Sequence, residues 1–161
     1  MARKLDIDKI DIKILATLQN NGRITNQKLA DTVALSPSAC LERVRRLEKD
    51  GAIREYQGVL DLTKICQDLM VYAEIKLVNH RARDFEIFES GIQDIPEIVE
   101  CYAVGGGIDY IARFHVRSIE HYQRVIDQML EQKLGIDQYF SYIITKPVKR
   151  FSGFPLESLI K

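Results

Sequence analysis

Tryptophan is absent from this 161-residue chain, and cysteine and histidine occur only three times each. Cys40, Cys66 and Cys101 are odd in number and form no C-x-x-C pair, so they read as small buried hydrophobes and not as a disulfide framework. His80, His115 and His121 show no ligand spacing, and no metal site is expected. There is no long apolar run, signal peptide pattern or lipidation motif, so no membrane association is expected and the predicted location is cytoplasmic. No Ser/His/Asp set, phosphate loop or glycine-framed carboxylate pair is present. Catalysis is therefore set aside, and no cofactor is expected. Formal net charge is zero, which at first argues against a nucleic-acid partner. The charge is unevenly placed, however: residues 1–60 carry 11 basic and 8 acidic side chains, net +3, and the remainder is net −3. Positive potential of that size favours weak binding by a monomer and points to dimerisation.

What is present begins with Thr25 to Arg54, which reads as two short amphipathic helices joined by a tight turn, a helix-turn-helix. The second helix is well delimited. Ser36 can cap it, Pro37 fits the first helical position, Lys49 suits the last turn and Gly51 supplies the stop. Cys40, Val44 and Leu47 share one inward face. Ser38, Glu42, Arg43 and Arg46 fall outside that stripe, with Arg45 on its flank. Arginine can fork onto guanine, and a serine near the helix start can reach a base edge or a phosphate. A basic amphipathic helix by itself is more often a solvated surface; the preceding helix and the Ser-Pro-Ser start favour DNA. Around it, Leu5, Ile7, Ile10, Ile14, Leu15 and Leu18 form a helical stripe capped by Asp6 or Asp8 and stopped at Asn21-Gly22. A further helix starts at Asn26 behind Thr25, with Leu29, Ala30 and Val33 inward. After Gly51, AIREYQGVL alternates as a strand or wing, from which Arg54 could touch a phosphate.

The second half predicts a strand over 71–78, a helix over 82–95, strands over 97–104 and 110–116, a helix from Ser118 to a stop at Gly135 with Ile119, Tyr122, Val125, Ile126 and Met129 inward, and a strand over 136–148. This βαββαβ order is a ferredoxin-like sandwich, making the chain α+β. Tyr72, Ile75, Cys101, Ala103, Ile111, Phe114, Tyr142 and Ile144 cannot all face one way, so the face without helices predicts self-association. In the turn GGGIDY, residues 105–110, three glycines exceed what a hairpin needs. Free N–H groups beside Asp109 suit the carboxylate and amine of an α-amino acid; the plainer reading is a bulged loop that Asp109 caps.

The stretches LDIDKIDIKILATLQNNGRIT, LSPSACLERVRRLEKDGAI and VECYAVGGGIDYIARF together resemble the Lrp/AsnC (leucine-responsive, feast/famine) family of bacterial and archaeal regulators, over residues 5 to about 147. The resemblance implies a winged helix-turn-helix DNA-binding domain (1–60) and a ferredoxin-like effector-binding and oligomerisation domain (61–147). It also implies homodimers paired through the sheet, commonly assembled into octamers, with double-stranded DNA and an amino acid as partners. Carried onto these positions, DNA contacts fall on Ser36, Ser38, Arg43 and Arg46, with Thr25 and Asn26 near phosphates; the residue pattern itself adds Arg45 and Arg54. The effector site falls on Val104, Gly105, Gly106, Gly107 and Asp109, with Tyr142 supplied across an interface. The apolar tail 148–161 (Phe151, Phe154, Leu156, Leu159, Ile160) is expected to pack on a neighbouring subunit. The rival function is an amino-acid sensor that acts through protein partners without DNA.

Overall fold

The computed structural model describes residues 5–160 and resolves into two compact units. One runs to Val59 and is rejoined by the segment from Lys149 onward; the other is Leu60–Val148.

The first unit contains helices α1 (Lys9–Asn20), α2 (Asn26–Val33) and α3 (Pro37–Lys49). Asp8 caps α1: its Oδ1 accepts from the N–H groups of Ile10 and Asp11, both at 2.8 Å, and Asp11 Oδ2 accepts from Asp8 N–H at 3.2 Å. Thr25 caps α2 and Ser36 caps α3, as the spacing predicts. Ile14, Leu29, Ala30, Val33, Cys40 and Leu47 are buried together. The stretch expected to be a strand or wing forms no ladder among the described residues, because no second strand lies beside it. Its start is fastened differently. Ala52 and Ile53 N–H groups donate to the Leu47 carbonyl, and the Tyr56 hydroxyl donates to Glu48 at 2.9 Å.

The tail is not a third body. It carries a short helix, α6 (Leu156–Leu159), and joins the first unit. The Gln19 side-chain amide donates to the Phe154 carbonyl and accepts from its N–H, both at 2.9 Å. Through this pair the tail is fastened to α1 of the same chain.

The second unit is an antiparallel sheet in the order β2–β3–β1–β4, from β1 (Leu69–Leu77), β2 (Ile98–Ala103), β3 (Tyr110–Val116) and β4 (Ile136–Ile143). Helices α4 (Ala82–Gly91) and α5 (Ile119–Glu131) complete the βαββαβ order. The pleat sorts the apolar residues by register. Val71, Ala73 and Ile75 stand opposite Phe114, Ala112 and Tyr110, and all six are buried with Phe88 of α4 and Met129 of α5. Cys101 and Ala103 pair with Ala112 and Tyr110 and share that side. Tyr72, Ile111 and Tyr142 alternate onto the other face, where Tyr142 remains 50% exposed.

Two sequence expectations are corrected. Ile119, expected inward, is 49% exposed because it opens the first turn of α5, ahead of the buried Tyr122, Val125, Ile126 and Met129. β4 ends at Ile143 and not at Val148: the Ile144 N–H donates to Met70, the second residue of β1, and Pro147 has no N–H to extend the ladder. The helix preceding β4 ends at Glu131, and Gly135 (φ 77°) makes the turn into the strand.

Candidate nucleic-acid interface and effector site

The turn between α2 and α3 forms because Ala34 takes a left-handed conformation (φ 57°) and the Leu35 N–H returns to the Ala30 carbonyl at 3.0 Å. Ser36 Oγ then accepts from Ala39 N–H at 3.3 Å and lies 3.2 Å from Ser38 Oγ. Asn26 ties the two helices at their starts, its side-chain N–H donating to the Pro37 carbonyl at 2.8 Å. Thr25 Oγ1 accepts from Lys28 N–H at 3.4 Å. Ser36, Asn26 and Thr25 thus build the motif as well as lying exposed or partly exposed on it.

The arginines divide in a way the helical wheel did not anticipate. Arg43 reaches Asp8 Oδ2 at 2.6 Å and Asp11 Oδ1 at 2.9 Å, and Arg46 donates to Asp11 Oδ2. The Asp11 side chain is only 1% exposed. A carboxylate so placed needs charged partners, and it draws both arginines across to α1. Arg43 is thereby left half-buried, whereas Arg46 stays on the exposed face of α3 while it pairs with Asp11. The hydrogen bonds to Asp8 and then Asp11 hold the Arg43 guanidinium above its ordinary pKa. The Asp11 N–H, followed by the hydrogen bond from Arg43, holds the Asp8 carboxyl below its own. Ser38, Leu41, Glu42, Arg45 and Lys49 are exposed on α3 as well, and among these cations Arg45 and Lys49 make no ion pair with the described residues. Arg54 makes none with them either. Asp11 was missed although its capping-box partner Asp8 was in view, because an acidic first turn is ordinary and burial is not visible in spacing.

In the second unit the β2–β3 hairpin closes with Val104 N–H donating to the Asp109 carbonyl at 2.9 Å. Gly106 sits at φ 145°, which requires glycine. A Cβ on Gly105 or Gly107 would meet nothing within 4 Å, so nothing within the chain crowds those two positions. Asp109 is partly committed: its Oδ2 accepts from Leu77 N–H at 2.8 Å and lies 3.1 Å from His80 Nε2. The carboxylate therefore braces the end of β1, with Oδ1 left over. Tyr142 is not at this turn within the chain. It stands opposite Tyr72 on the open face, three rungs from the Tyr139–Ile75 pair.

Beside the turn lies a cleft of about 420 Å³ between α4 and β2, lined by Glu89, Gln93, Cys101, Ala103 and Tyr110 among others. The Tyr110 hydroxyl donates to Glu89 Oε1 at 2.9 Å. Burial and that hydrogen bond push the phenol well above its ordinary pKa, and burial followed by Glu89 pushes the Cys101 thiol up to about 11. Sequence spacing offers no signal for this cleft, whose walls come from a helix and a strand that meet only in the fold.

Comparison with known proteins matches two families along the chain. Residues 70–154 match the family described as Lrp/AsnC ligand binding domain, and residues 7–54 match winged helix-turn-helix DNA-binding. The chain is 47% identical to the transcriptional regulatory protein DoeX of Halomonas elongata, over 92% of this chain and 94% of that one. It is 39% identical to the leucine-responsive regulatory protein of Escherichia coli K12, over 90% and 88%. A crystal structure of a transcriptional regulator from Neisseria meningitidis in complex with L-Met superposes with a TM-score of 0.89 at 31% identity, covering 96% of this chain and all of that one.

Proposed function

The chain belongs to the Lrp/AsnC family of transcriptional regulators, pairing a helix-turn-helix DNA-binding domain with an amino-acid-binding domain, and on that premise we propose how the work is divided among its residues. The exposed face of α3 enters the major groove, with Arg45 as the base-reading arginine and Ser38 beside it. Lys49 and Arg54 reach phosphates, as do Thr25, Asn26 and Ser36 near the starts of α2 and α3. Arg43 and Arg46 act through Asp11, setting the angle between α1 and α3 and so the presentation of that face. An α-amino acid binds at Val104–Asp109, with backbone N–H groups of the glycines taking its carboxylate and the uncommitted Asp109 oxygen taking its amine. Tyr142 comes to that site from another subunit. The open sheet face, with Tyr72, Ile111 and Tyr142 on it, joins two copies, and dimers assemble further into octamers.

The observation that carries this reading is the division of arginines on α3: two are paired with a buried carboxylate while Arg45, on a helix capped by Ser36 and started by Pro37, is exposed and makes no ion pair with the described residues. Fluorescence anisotropy on the DNA upstream of the protein's own gene tests it. Arg45→Ala should weaken binding while leaving the melting temperature and the oligomer unchanged. Undiminished affinity would remove Arg45 from the reading, and no binding by the wild type to any promoter fragment would favour a sensor acting through protein partners.

A further inference from the structure

The cleft between α4 and β2 adjoins the glycine turn. Ala103 and Tyr110 face each other on the β2–β3 hairpin and both line the cleft, while their neighbours Val104 and Asp109 close the turn. A ligand held at the turn by its α-carboxylate and α-amine would have its side chain next to this opening. The volume of about 420 Å³ accommodates any amino-acid side chain with water to spare, so chemistry and not size must select.

That chemistry is one-sided. Ile92, Ile98 and Ala103 give an apolar floor, and the charged groups on the lining are Glu89 and Glu100. Among the described residues no Lys, Arg or His lines the cleft. Glu100 is answered from the open face by Arg113 at 3.1 Å. Among the described residues Glu89 is answered only by a neutral donor, the Tyr110 hydroxyl at 2.9 Å, so its charge is not compensated there. Gln93 donates one of its two side-chain N–H groups to the Glu89 carbonyl at 3.0 Å, and its own carbonyl oxygen is an acceptor. The cleft thus offers acceptors and negative charge above an apolar floor. Burial and the nearby Glu89 carboxylate both raise the Cys101 thiol, so the thiol stays neutral at physiological pH and adds no competing anion.

We propose that this cleft receives the side chain of the effector, and that Glu89 together with the Gln93 carbonyl oxygen selects an amino acid whose side chain ends in a cationic nitrogen. The inference rests on the reading of Val104–Asp109 as the head-group site. The floor accepts the methylene stem, and the ammonium or guanidinium completes Glu89. A leucine or methionine side chain would cover Glu89 with apolar surface, stripping water from the carboxylate without giving it a partner.

Titration calorimetry of the full-length protein with lysine, ornithine, arginine, leucine and methionine tests this on the wild type, Glu89→Gln and Asp109→Asn. Gln at 89 still accepts from the Tyr110 hydroxyl, and Asn at 109 still offers an acceptor to Leu77, so thermal melting should confirm that both variants fold. At least one basic amino acid should bind the wild type about tenfold or more tighter than leucine and methionine, and Glu89→Gln should erase that preference. A wild type that prefers leucine or methionine, or a Glu89→Gln variant that keeps the basic preference, overturns the inference while leaving the head-group site standing. Failure of the head-group reading looks different: Asp109→Asn binds every ligand as tightly as the wild type, or none of the five binds at all. Either result takes the inference down with it.

Discussion

The helical unit and the α/β unit are stabilised by different means. Sixteen buried hydrophobic residues form the core of the α/β unit, whereas six do so in the helical unit among the described residues. The smaller unit adds what its core lacks through charge, with Asp11 buried between α1 and α3 and holding Arg43 and Arg46. A large apolar core tolerates polar variation at its rim. A small core organised around one carboxylate does not, and the surface that presents Arg45 depends on that carboxylate.

The comparison is broken most directly at the arginines. Arg43→Ala with Arg46→Ala leaves Asp11 buried with one backbone N–H partner, a loss of about 3 kcal/mol for a carboxylate stripped of its charged partners. For a unit this small that corresponds to roughly 10 °C or more in melting temperature. Differential scanning calorimetry should show the helical unit melting early while the α/β unit is unmoved. A double variant that melts as the wild type does would show that Asp11 contributes nothing to the difference. Arg45→Ala addresses function and not stability. Loss of the arginine proposed to read bases should cost about tenfold in DNA affinity by anisotropy, with no change in melting. Should the double variant lose DNA binding without losing stability, Arg43 and Arg46 are themselves readers and the division of labour on α3 is wrong.

These two experiments also mark how far the sequence could be read. Caps and stops are local: Ser36-Pro37, Thr25 and Ser118 announce helix starts within three or four residues, and the structure places helices there. The alternation in β1 and β3 is equally local, and each strand is buried on one face only. The direction of an arginine is not local. Arg43 lies outside the apolar stripe of α3 by spacing, yet its partner Asp8 is 35 residues away in the chain. Of the candidate effector site, the glycine-rich hairpin turn is visible in the sequence. The commitment of Asp109 to Leu77 and His80 and the cleft bounded by Glu89 are not, because each needs the sheet register before it exists. The tail was legible as apolar, but its docking on Gln19 was not.

That tail gives a smaller effect. Gly153 has φ 111°, and a Cβ there would lie 2.8 Å from Gln19 Cδ, the group that pairs with Phe154. Gly153→Val should therefore free residues 150–160 from α1, at a cost of about 1 kcal/mol, comparable with Gln19→Ala. Limited proteolysis should cut the tail of either variant faster than that of the wild type while the α/β unit stays protected. Equal cleavage rates would place the support of the tail elsewhere, and a neighbouring subunit would be its first candidate.

The smallest effect separates the units by pH. The Asp8 carboxyl lies below its ordinary value of 3.8, held there by the Asp11 N–H and then by Arg43. A carboxyl depressed by folding stabilises the helical unit fully above its unfolded pKa, and that contribution fades as pH falls through the folded value. Tyr110 carries the opposite sign in the α/β unit. Its phenol is raised by burial and Glu89, so its contribution is intact below the ordinary value of 10.0 and is lost as pH rises toward the folded one. Alkali also touches the helical unit through Tyr56, which burial and Glu48 push up to about 12, so the acid side separates the two more cleanly. Because the Asp8 side chain is 51% exposed, solvent screens the effect, and the expected change is a shift of the helical transition by a few degrees at most between about pH 5 and pH 3. Asp8→Asn keeps a capping oxygen but cannot titrate. The helical unit of that variant should lose less stability than the wild type over the same acid range, and the α/β unit should respond identically in both. If the two helical transitions instead track each other throughout, the acid sensitivity of the unit comes from carboxyls other than Asp8.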